Sequence, residues 1–363
     1  MDRFGIRKIG LTEFGVSEFR LPAFGDGSGR GSGGQGSTFH ESLVDVWFMS
    51  GYNNADAPAF IRGGEGHELQ LKNFAYALNS GFGKYAVNWN SFAKATANAN
   101  FTNTDSSIHI TEILVSDGKF LQTSADETVA ACQIKVEGMT DDIKLRYVTY
   151  AEDGTGTYTY LKNGINDLPI SYKKYTGFAA SVVGTCNITI TQLPEAYEGA
   201  LVFDGVDDYG ICSNLPILTD YTVICRRSII TVKNASATAS KRSYPDDVGN
   251  FGAFVFERTF AAGNKTIYSF GAANGVDTFD ENEIVYQTKT SYNGKAITSG
   301  SSNDSEYLCL GANAYNINLG KCQEFSNIAV YYFALYDKSL TTEEIEEEKV
   351  KLEQKWNSKL NKS

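Results

Sequence analysis

The chain has 363 residues, of which 42% are hydrophobic, and a net charge of −11 at pH 7. This hydrophobic content supports a buried core and excludes global disorder, while no apolar run reaches the length of a membrane span. The net negative charge argues against binding through phosphates, so we expect no nucleic-acid partner. The lack of a membrane-spanning run means that we expect no membrane partner either. The start, Met-Asp-Arg-Phe, lacks an apolar signal-peptide core, so we do not expect Sec-dependent export.

The first 25 residues contain a five-residue repeat. An aromatic or isoleucine side chain recurs every five residues, and glycine follows it in four of the five units: Phe4, Ile9, Phe14, Phe19 and Phe24. This spacing fits neither a helix nor a plain strand, and it predicts an extended arm with one apolar ridge. Five such units cannot enclose a core, so the five side chains are predicted to dock on a partner. That partner is either another copy, as in a trimer, or a groove on a different protein; a disordered tail with a chance repeat is the plainer alternative.

Residues 26–38 connect this arm to the rest of the chain. Ten of the 35 glycines fall within the first 36 residues, and the stretch Asp26–Ser37 contains no large apolar side chain. Such a composition is typical of a flexible Gly/Ser linker. The predicted organisation is therefore a docking arm over 1–25, a linker over 26–38 and a folded body from residue 39.

The body has the pattern of an all-β protein, in which short runs of Val, Ile, Thr, Tyr and Phe are interrupted by Gly, Asn and Asp. The clearest predicted strands are Ile108–Leu114, Ile143–Tyr150, Cys186–Thr191, Tyr221–Cys225, Ile229–Val232, Gly252–Glu257 and Ile328–Leu335. Four dipeptides have hairpin-turn chemistry: Asp153-Gly154, Asn163-Gly164, Asn274-Gly275 and Asn293-Gly294.

One helix is predicted, at the end of the body. Thr341 and Glu344 have the spacing of a capping box. Ile345, Leu352 and Trp356 then form one narrow apolar stripe, which predicts a helix lying on a sheet or leading to a neighbour. Its acidic first turns are typical of a solvated face rather than a metal site.

Two segments in this order resemble the laminin-G-like, concanavalin-A-like family of jelly rolls. Residues 201–209 (LVFDGVDDY) resemble its Phe-Asp-Gly-x-Asp-Asp-Tyr signature, and residues 327–345 (NIAVYYFALYDKSLTTEEI) resemble its closing strand and short helix. The family's opening strand has counterparts in residues 43–48 (LVDVWF) and 63–74. The resemblance implies a jelly-roll sandwich, a fold that carries lectins, hydrolases and adhesion modules alike.

The long separation between residues 74 and 203 predicts an insertion. We expect a discontinuous jelly roll over 39–80 and 196–356, an inserted immunoglobulin-like sandwich over 81–195 and a tail over 357–363. The expected fold class is thus all-β: a concanavalin-A-like jelly roll with an inserted small β-sandwich, an extended N-terminal arm and a short C-terminal helix. Two consecutive β-domains are the simpler alternative.

The layout also resembles virion proteins encoded by crAss-like and related tailed phages of gut Bacteroidales. The resemblance lies in the Phe-Gly leader and in the segments Asn73-Phe74, Gly81–Tyr85, Cys186–Thr191 and Phe203–Tyr209. It implies a virion protein, assembled in the host cytoplasm, that acts as a head fibre, head decoration or tail appendage. Its implied partners are other virion proteins, its own copies and surface glycans.

Residues with catalytic potential are few. The Glu-x-Asp-x-x-Glu string of the concanavalin-A-like hydrolases does not occur, and the acids of Asp280–Glu283 have the polar setting of a loop. Asp204, Asp207 and Asp208 are candidate calcium ligands, although turn chemistry is the favoured interpretation. The six cysteines lack a Cys-x-x-Cys spacing, and buried free thiols are favoured over disulfides.

These observations favour a non-enzymatic virion structural protein that displays a lectin-like β-domain and has no cofactor other than the candidate calcium. A carbohydrate-binding module of a bacterial surface or secreted protein is the alternative, and a glycoside hydrolase is less favoured. The 46 Phe, Tyr and Trp side chains suit carbohydrate stacking or cross-strand packing, and the sequence does not identify a sugar site.

Overall fold

A computed structural model describes residues 38–242, 252–260, 263–316 and 321–361. The first four strands are β1 (Leu43–Phe48), β2 (Phe60–Arg62), β3 (Glu68–Lys72) and β4 (Gly81–Lys84). The next ten are β5 (Ala93–Lys94), β6 (Ala99–Asn103), β7 (Ser107–Ile113), β8 (Lys119–Gln122), β9 (Cys132–Glu137), β10 (Leu145–Tyr150), β11 (Gly156–Tyr160), β12 (Gly164–Leu168), β13 (Gly177–Ala180) and β14 (Gly184–Gln192).

The remaining strands precede one helix. They are β15 (Ala196–Asp204), β16 (Tyr209–Cys212), β17 (Thr222–Thr231), β18 (Ser236–Lys241), β19 (Phe254–Thr259), β20 (Lys265–Ser269), β21 (Ala272–Val276), β22 (Ile284–Thr288), β23 (Ser291–Tyr292), β24 (Lys295–Ala296), β25 (Leu308–Leu310), β26 (Asn313–Asn316), β27 (Lys321–Gln323) and β28 (Asn327–Tyr336). Helix α1 follows over Thr342–Leu360 and continues into the segment expected to be a tail.

Two eight-stranded antiparallel sheets form the main sandwich. Sheet A has the order β24-β23-β22-β17-β28-β15-β4, and β1 also pairs with β28; sheet B has the order β2-β3-β16-β25-β18-β19-β20-β21. Strands from residues 43–84 and from residues 196–336 thus share the same sheets. The pairing of β4 with β15 belongs to sheet A, although the sequence pattern assigns residue 81 onward to the insertion.

Strand β28 explains why its segment is almost continuously apolar. Val330, Phe333 and Leu335 pack in the core between the two sheets. Tyr332 and Tyr336 pack in a second core on the other face of sheet A. Because both faces of this central strand are covered, the usual alternation of apolar and polar residues is lost.

Helix α1 covers that second face. The hydroxyl of Thr341 accepts a hydrogen bond from the backbone N–H of Glu344 at 3.2 Å, and the Glu344 carboxylate accepts one from the backbone N–H of Thr341 at 2.7 Å. The predicted capping box is confirmed. Ile345, Leu352 and Trp356 are buried against sheet A, so the predicted apolar stripe is confirmed as well.

The inserted strands form a smaller sandwich of two five-stranded antiparallel sheets. Sheet C has the order β11-β10-β13-β8-β5, and sheet D has the order β12-β9-β14-β7-β6. Their core is separate from the main one and contains Trp89, Phe120, Tyr147 and Phe178. The expected fold class, an all-β sandwich with a small inserted sandwich and a C-terminal helix, is confirmed. The N-terminal arm lies outside the described residues.

Two of the four predicted hairpin turns join paired strands, and the other two do not. Asp153-Gly154 joins the paired strands β10 and β11, and Asn293-Gly294 joins β23 and β24. Asn163-Gly164 instead lies at the start of β12, whose first residue is Gly164, and β12 lies in a different sheet from β11, so the pair closes no hairpin. Asn274-Gly275 lies within β21, because the turn before that strand is made by Phe270 and Gly271, both with positive φ.

Candidate functional site

The three candidate calcium ligands lie in the short loop between β15 and β16. Asp204 ends β15, and Asp208 directly precedes β16. Gly205 adopts φ +75°, and a Cβ there would lie 2.7 Å from the Lys233 side chain. The Asp-Gly pair therefore permits a tight turn that gathers the acids, as the sequence pattern predicted.

The loop brings the three carboxylates together. One carboxylate oxygen from each of Asp204, Asp207 and Asp208 lies within 4.8 Å of the others. Asp208 is 1% exposed. Burial raises the pKa of Asp208 to about 7. The hydrogen bonds from the Asp204 backbone and from Ser80 oppose this increase, and the neighbouring Asp204 and Asp207 carboxylates add to it.

The same oxygens also stabilise the turn. Asp204 Oδ1 accepts a hydrogen bond from the backbone N–H of Val206 at 2.7 Å, and Asp208 Oδ2 accepts one from the backbone N–H of Asp204 at 3.0 Å. Asn73 Nδ2 donates to the Asp207 carbonyl at 2.9 Å. Calcium takes six to eight oxygen ligands, so three carboxylates fit the chemistry of such a site without completing it. Calcium binding at this loop stays a prediction.

A second polar group, not predicted from the sequence, lies beneath the loop that contains Asp280. Arg227 and Glu257 are each 2% exposed, and Arg227 Nε donates to Glu257 Oε2 at 3.0 Å. Tyr292 donates its hydroxyl proton to Glu257 Oε1 at 2.8 Å, and Thr238 donates to Oε2 at 3.0 Å. Both carboxylate oxygens are thus satisfied by buried donors.

The electrostatics of this group follow from its pairing. Burial alone would lower the pKa of Arg227, but the adjacent Glu257 carboxylate raises it above its ordinary value. Burial, followed by the same carboxylate, raises the pKa of Tyr292 above its ordinary value. The guanidinium therefore stays charged and the phenol stays protonated at neutral pH.

Arg227 also holds the acidic loop in place. Its guanidinium donates to the Asn282 carbonyl at 2.7 Å and to the Asp280 carbonyl at 2.9 Å. Cavities of about 500 and 470 Å³ flank this loop. Asp280 and Glu281 contribute to both. The acids thus line surface cavities, while the buried Arg227–Glu257 pair positions their backbone. Sequence reasoning missed this pair because nothing local in β17 or β19 indicates that the two strands place these side chains together.

Phe4, Ile9, Phe14, Phe19 and Phe24 lie outside the described residues. No helix within the described parts of the chain has the length and apolarity needed to cross a membrane.

No protein-family model matches the chain, and no curated protein matches it by sequence. Among solved structures, it is similar to Trypanosoma rangeli sialidase in complex with sialic acid, with a TM-score of 0.30 and 8% identity over 68% of this chain and 60% of that one. A complex of the same sialidase with 2,3-difluoro-KDN gives a TM-score of 0.32 and 9% identity, covering 82% and 68% of the two chains. This chain therefore spans 60% of the length of the first of these structures.

Proposed function

We propose that the chain is a non-enzymatic virion structural protein that is anchored to the particle by residues 1–25 and displays its two sandwiches outward. The observation that carries the proposal is the five-residue apolar repeat, separated by a Gly/Ser linker from the folded body. The compact unit described by the structure begins at Phe39, directly after that linker. An arm with an apolar ridge ahead of a separately folded body suits docking on a partner.

The body supports a role in display. Its two sandwiches have separate cores, and α1 covers the face of sheet A that would otherwise expose Tyr332 and Tyr336. The Arg227–Glu257 pair serves to hold a loop. The similarity of the layout to Bacteroidales phage proteins adds the virion as the location and other virion proteins, or copies of this chain, as the partners.

The test is incorporation of full-length variants into particles. Phe14→Ser with Phe19→Ser removes two ridge side chains, while Glu13→Ser with Glu18→Ser changes the adjacent polar positions and is the matched control. We expect the ridge variant to keep the melting temperature of the wild type and to be absent from purified particles. The control should be incorporated normally.

Normal incorporation of the ridge variant would overturn the proposal. Recovery of the wild-type chain from the bacterial surface or the medium, rather than from particles, would favour the alternative of a bacterial carbohydrate-binding module.

A further inference from the structure

The outer face of sheet C has an unusual set of side chains. Side chains alternate between the two faces of a strand, and Leu145 and Tyr147 of β10 point into the core of the insert. Arg146 and Tyr150 therefore point outward. We call the outward group the tyrosine face, and it consists of Tyr150, Tyr158, Tyr160, Tyr175, Lys119 and Arg146.

Strand register makes these residues neighbours. Tyr160 of β11 pairs with Arg146 of β10, which pairs with Ala179 of β13, which in turn pairs with Lys119 of β8. This row crosses four strands. Ala179 is fully buried although it lies on the outer face, because the large side chains around it cover the sheet.

The tyrosine rings above that row are open to solvent. Tyr158 is 56% exposed, Tyr160 is 64% exposed and Tyr175 is 45% exposed. Their neighbour Tyr147, which points inward from β10, is 1% exposed. Several exposed aromatic rings on one sheet face are more typical of a binding surface than of ordinary surface packing.

Cations lie among the rings. The Arg146 guanidinium carbon lies 4.7 Å from the centre of the Tyr158 ring, and Arg146 also pairs with Asp117 at 2.9 Å. Lys119 Nζ lies 5.0 Å from the centre of the Tyr150 ring and 5.5 Å from that of Tyr175, and it donates to the Tyr150 hydroxyl at 2.8 Å. No carboxylate among the described residues lies within ion-pairing distance of Lys119. Its ammonium group is held between two rings and remains available to an anion.

We propose that the tyrosine face binds an acidic oligosaccharide, with Tyr158 and Tyr160 stacking on sugar rings and Lys119 pairing with a sugar carboxylate. The apolar C–H face of a pyranose packs well on the electron-rich face of an aromatic ring. The single ammonium group of Lys119 suits an oligosaccharide whose carboxylates lie far apart from one another. The net charge of −11 disfavours a continuous phosphate chain. The inference rests on the proposed display function and specifies the class of ligand that the displayed body recognises.

The test measures binding of the full-length chain by calorimetry. The probes are sialyllactose, which has a single carboxylate, and lactose, its neutral counterpart. Before calorimetry, the same full-length chain is screened on an array of acidic and neutral glycans. We expect a carboxylate probe to bind and its neutral counterpart to bind at least about tenfold more weakly, since one buried or shielded charge contact is worth this factor.

Three variants identify the face. Tyr158→Ala with Tyr160→Ala should weaken binding by about tenfold or more, and Tyr160→Ala alone repeats the test in case the double variant unfolds. Lys119→Met should abolish the preference for the acidic probe. Phe60→Ala is the matched control, because Phe60 is an exposed aromatic with the Arg62 guanidinium carbon 6.0 Å from its ring centre on the main sandwich. The control should bind as the wild type does.

Any of four results would overturn the inference: no binding to any acidic glycan, equal binding of acidic and neutral probes, full binding by the folded tyrosine variants, or self-association of the chain through this face. Glycan binding by the tyrosine face should not depend on the N-terminal arm. A variant lacking residues 1–25 should bind the glycan as well as the full chain does, even where the incorporation test fails.

Discussion

Cys309 Sγ and Cys322 Sγ lie 3.1 Å apart, although both cysteines are free thiols. Cys309 is fully buried on β25, and Cys322 lies partly exposed on β27. Burial raises the pKa of the Cys309 thiol well above its ordinary value, with the contact to Cys322 adding to the shift. A disulfide oxidant should therefore react first at Cys322, and Cys309 Sγ would then attack the oxidised Cys322 sulfur.

We expect oxidised glutathione to join this pair. Cys322 would form a mixed disulfide with the release of one reduced glutathione, and Cys309 would then displace the second glutathione and close the protein disulfide. A loop of this short length corresponds to about 3 kcal/mol of added stability. Mass spectrometry of non-reduced peptides and the melting temperature report the outcome. The Cys322→Ser variant should show neither the disulfide nor the increase in melting temperature, whereas the control Cys132→Ser should show both. A disulfide between any other two cysteines would contradict the prediction.

The buried Arg227–Glu257 pair should contribute strongly to folding. Glu257→Gln removes the charge that compensates the buried guanidinium, so we expect a loss of about 3–5 kcal/mol in the free energy of unfolding. Tyr292→Phe removes one hydrogen bond to that carboxylate and should cost about 1 kcal/mol. Urea denaturation measures both values.

The exposed pair of Arg62 and Glu68, at 2.6 Å, supplies the control for that experiment. Glu68→Gln should change the free energy of unfolding by less than about 1 kcal/mol, because exposed ion pairs contribute little. A Glu257→Gln variant that is no less stable than Glu68→Gln would show that the buried pair does not hold the fold together.

The contribution of buried Asp208 to stability should fall as the pH rises from about 4 to about 7. Burial raises the pKa of Asp208 to about 7, whereas its ordinary value is 3.8. A folded-state pKa above the unfolded value adds stability below the unfolded pKa, and that contribution is lost as the pH passes the folded pKa. Asp105, whose pKa is raised to about 6 by burial, acts in the same direction.

Melting temperatures between pH 4 and pH 8 test this dependence. Asp208→Asn keeps the side chain neutral at every pH, so the decline should be smaller than in the wild type. Asp207→Asn changes the exposed neighbour and should retain most of the decline. An identical decline in the Asp208→Asn variant and the wild type would exclude Asp208 as its source.

The predicted calcium site has a separate readout. Calcium would bind the ionised carboxylates of Asp204, Asp207 and Asp208, so 1 mM Ca²⁺ at pH 7.5 should raise the melting temperature of the wild type. At a dissociation constant of about 0.1 mM the gain is about 1.4 kcal/mol. The same addition should leave Asp208→Asn unchanged. If the wild type shows no shift, the three acids serve the turn alone.

Local features could be predicted where local physics decides them. Thr341 and Glu344 are three residues apart, so their reciprocal hydrogen bonds depend only on the start of one helix. Asn293-Gly294 forms the expected turn because both residues adopt positive φ between adjacent strands. Asn274-Gly275 has the same chemistry but lies within β21, since the preceding Phe270-Gly271 pair already makes the turn. The pairing of β21 with β20 therefore places Asn274-Gly275 in a strand, although the dipeptide favours a turn.

The amino-acid sequence alone is enough to predict the all-β class, the C-terminal helix and the turn that gathers Asp204, Asp207 and Asp208, because each depends on residues close together in the chain. It also supplied the repeated arm on which the proposed function rests. The contacts of Arg227 with Glu257, of Cys309 with Cys322 and of Lys119 with Tyr150 and Tyr175 arise only when the chain is folded. These contacts join residues on different strands, and strand order and register, set by packing across the whole sandwich, determine which side chains become neighbours.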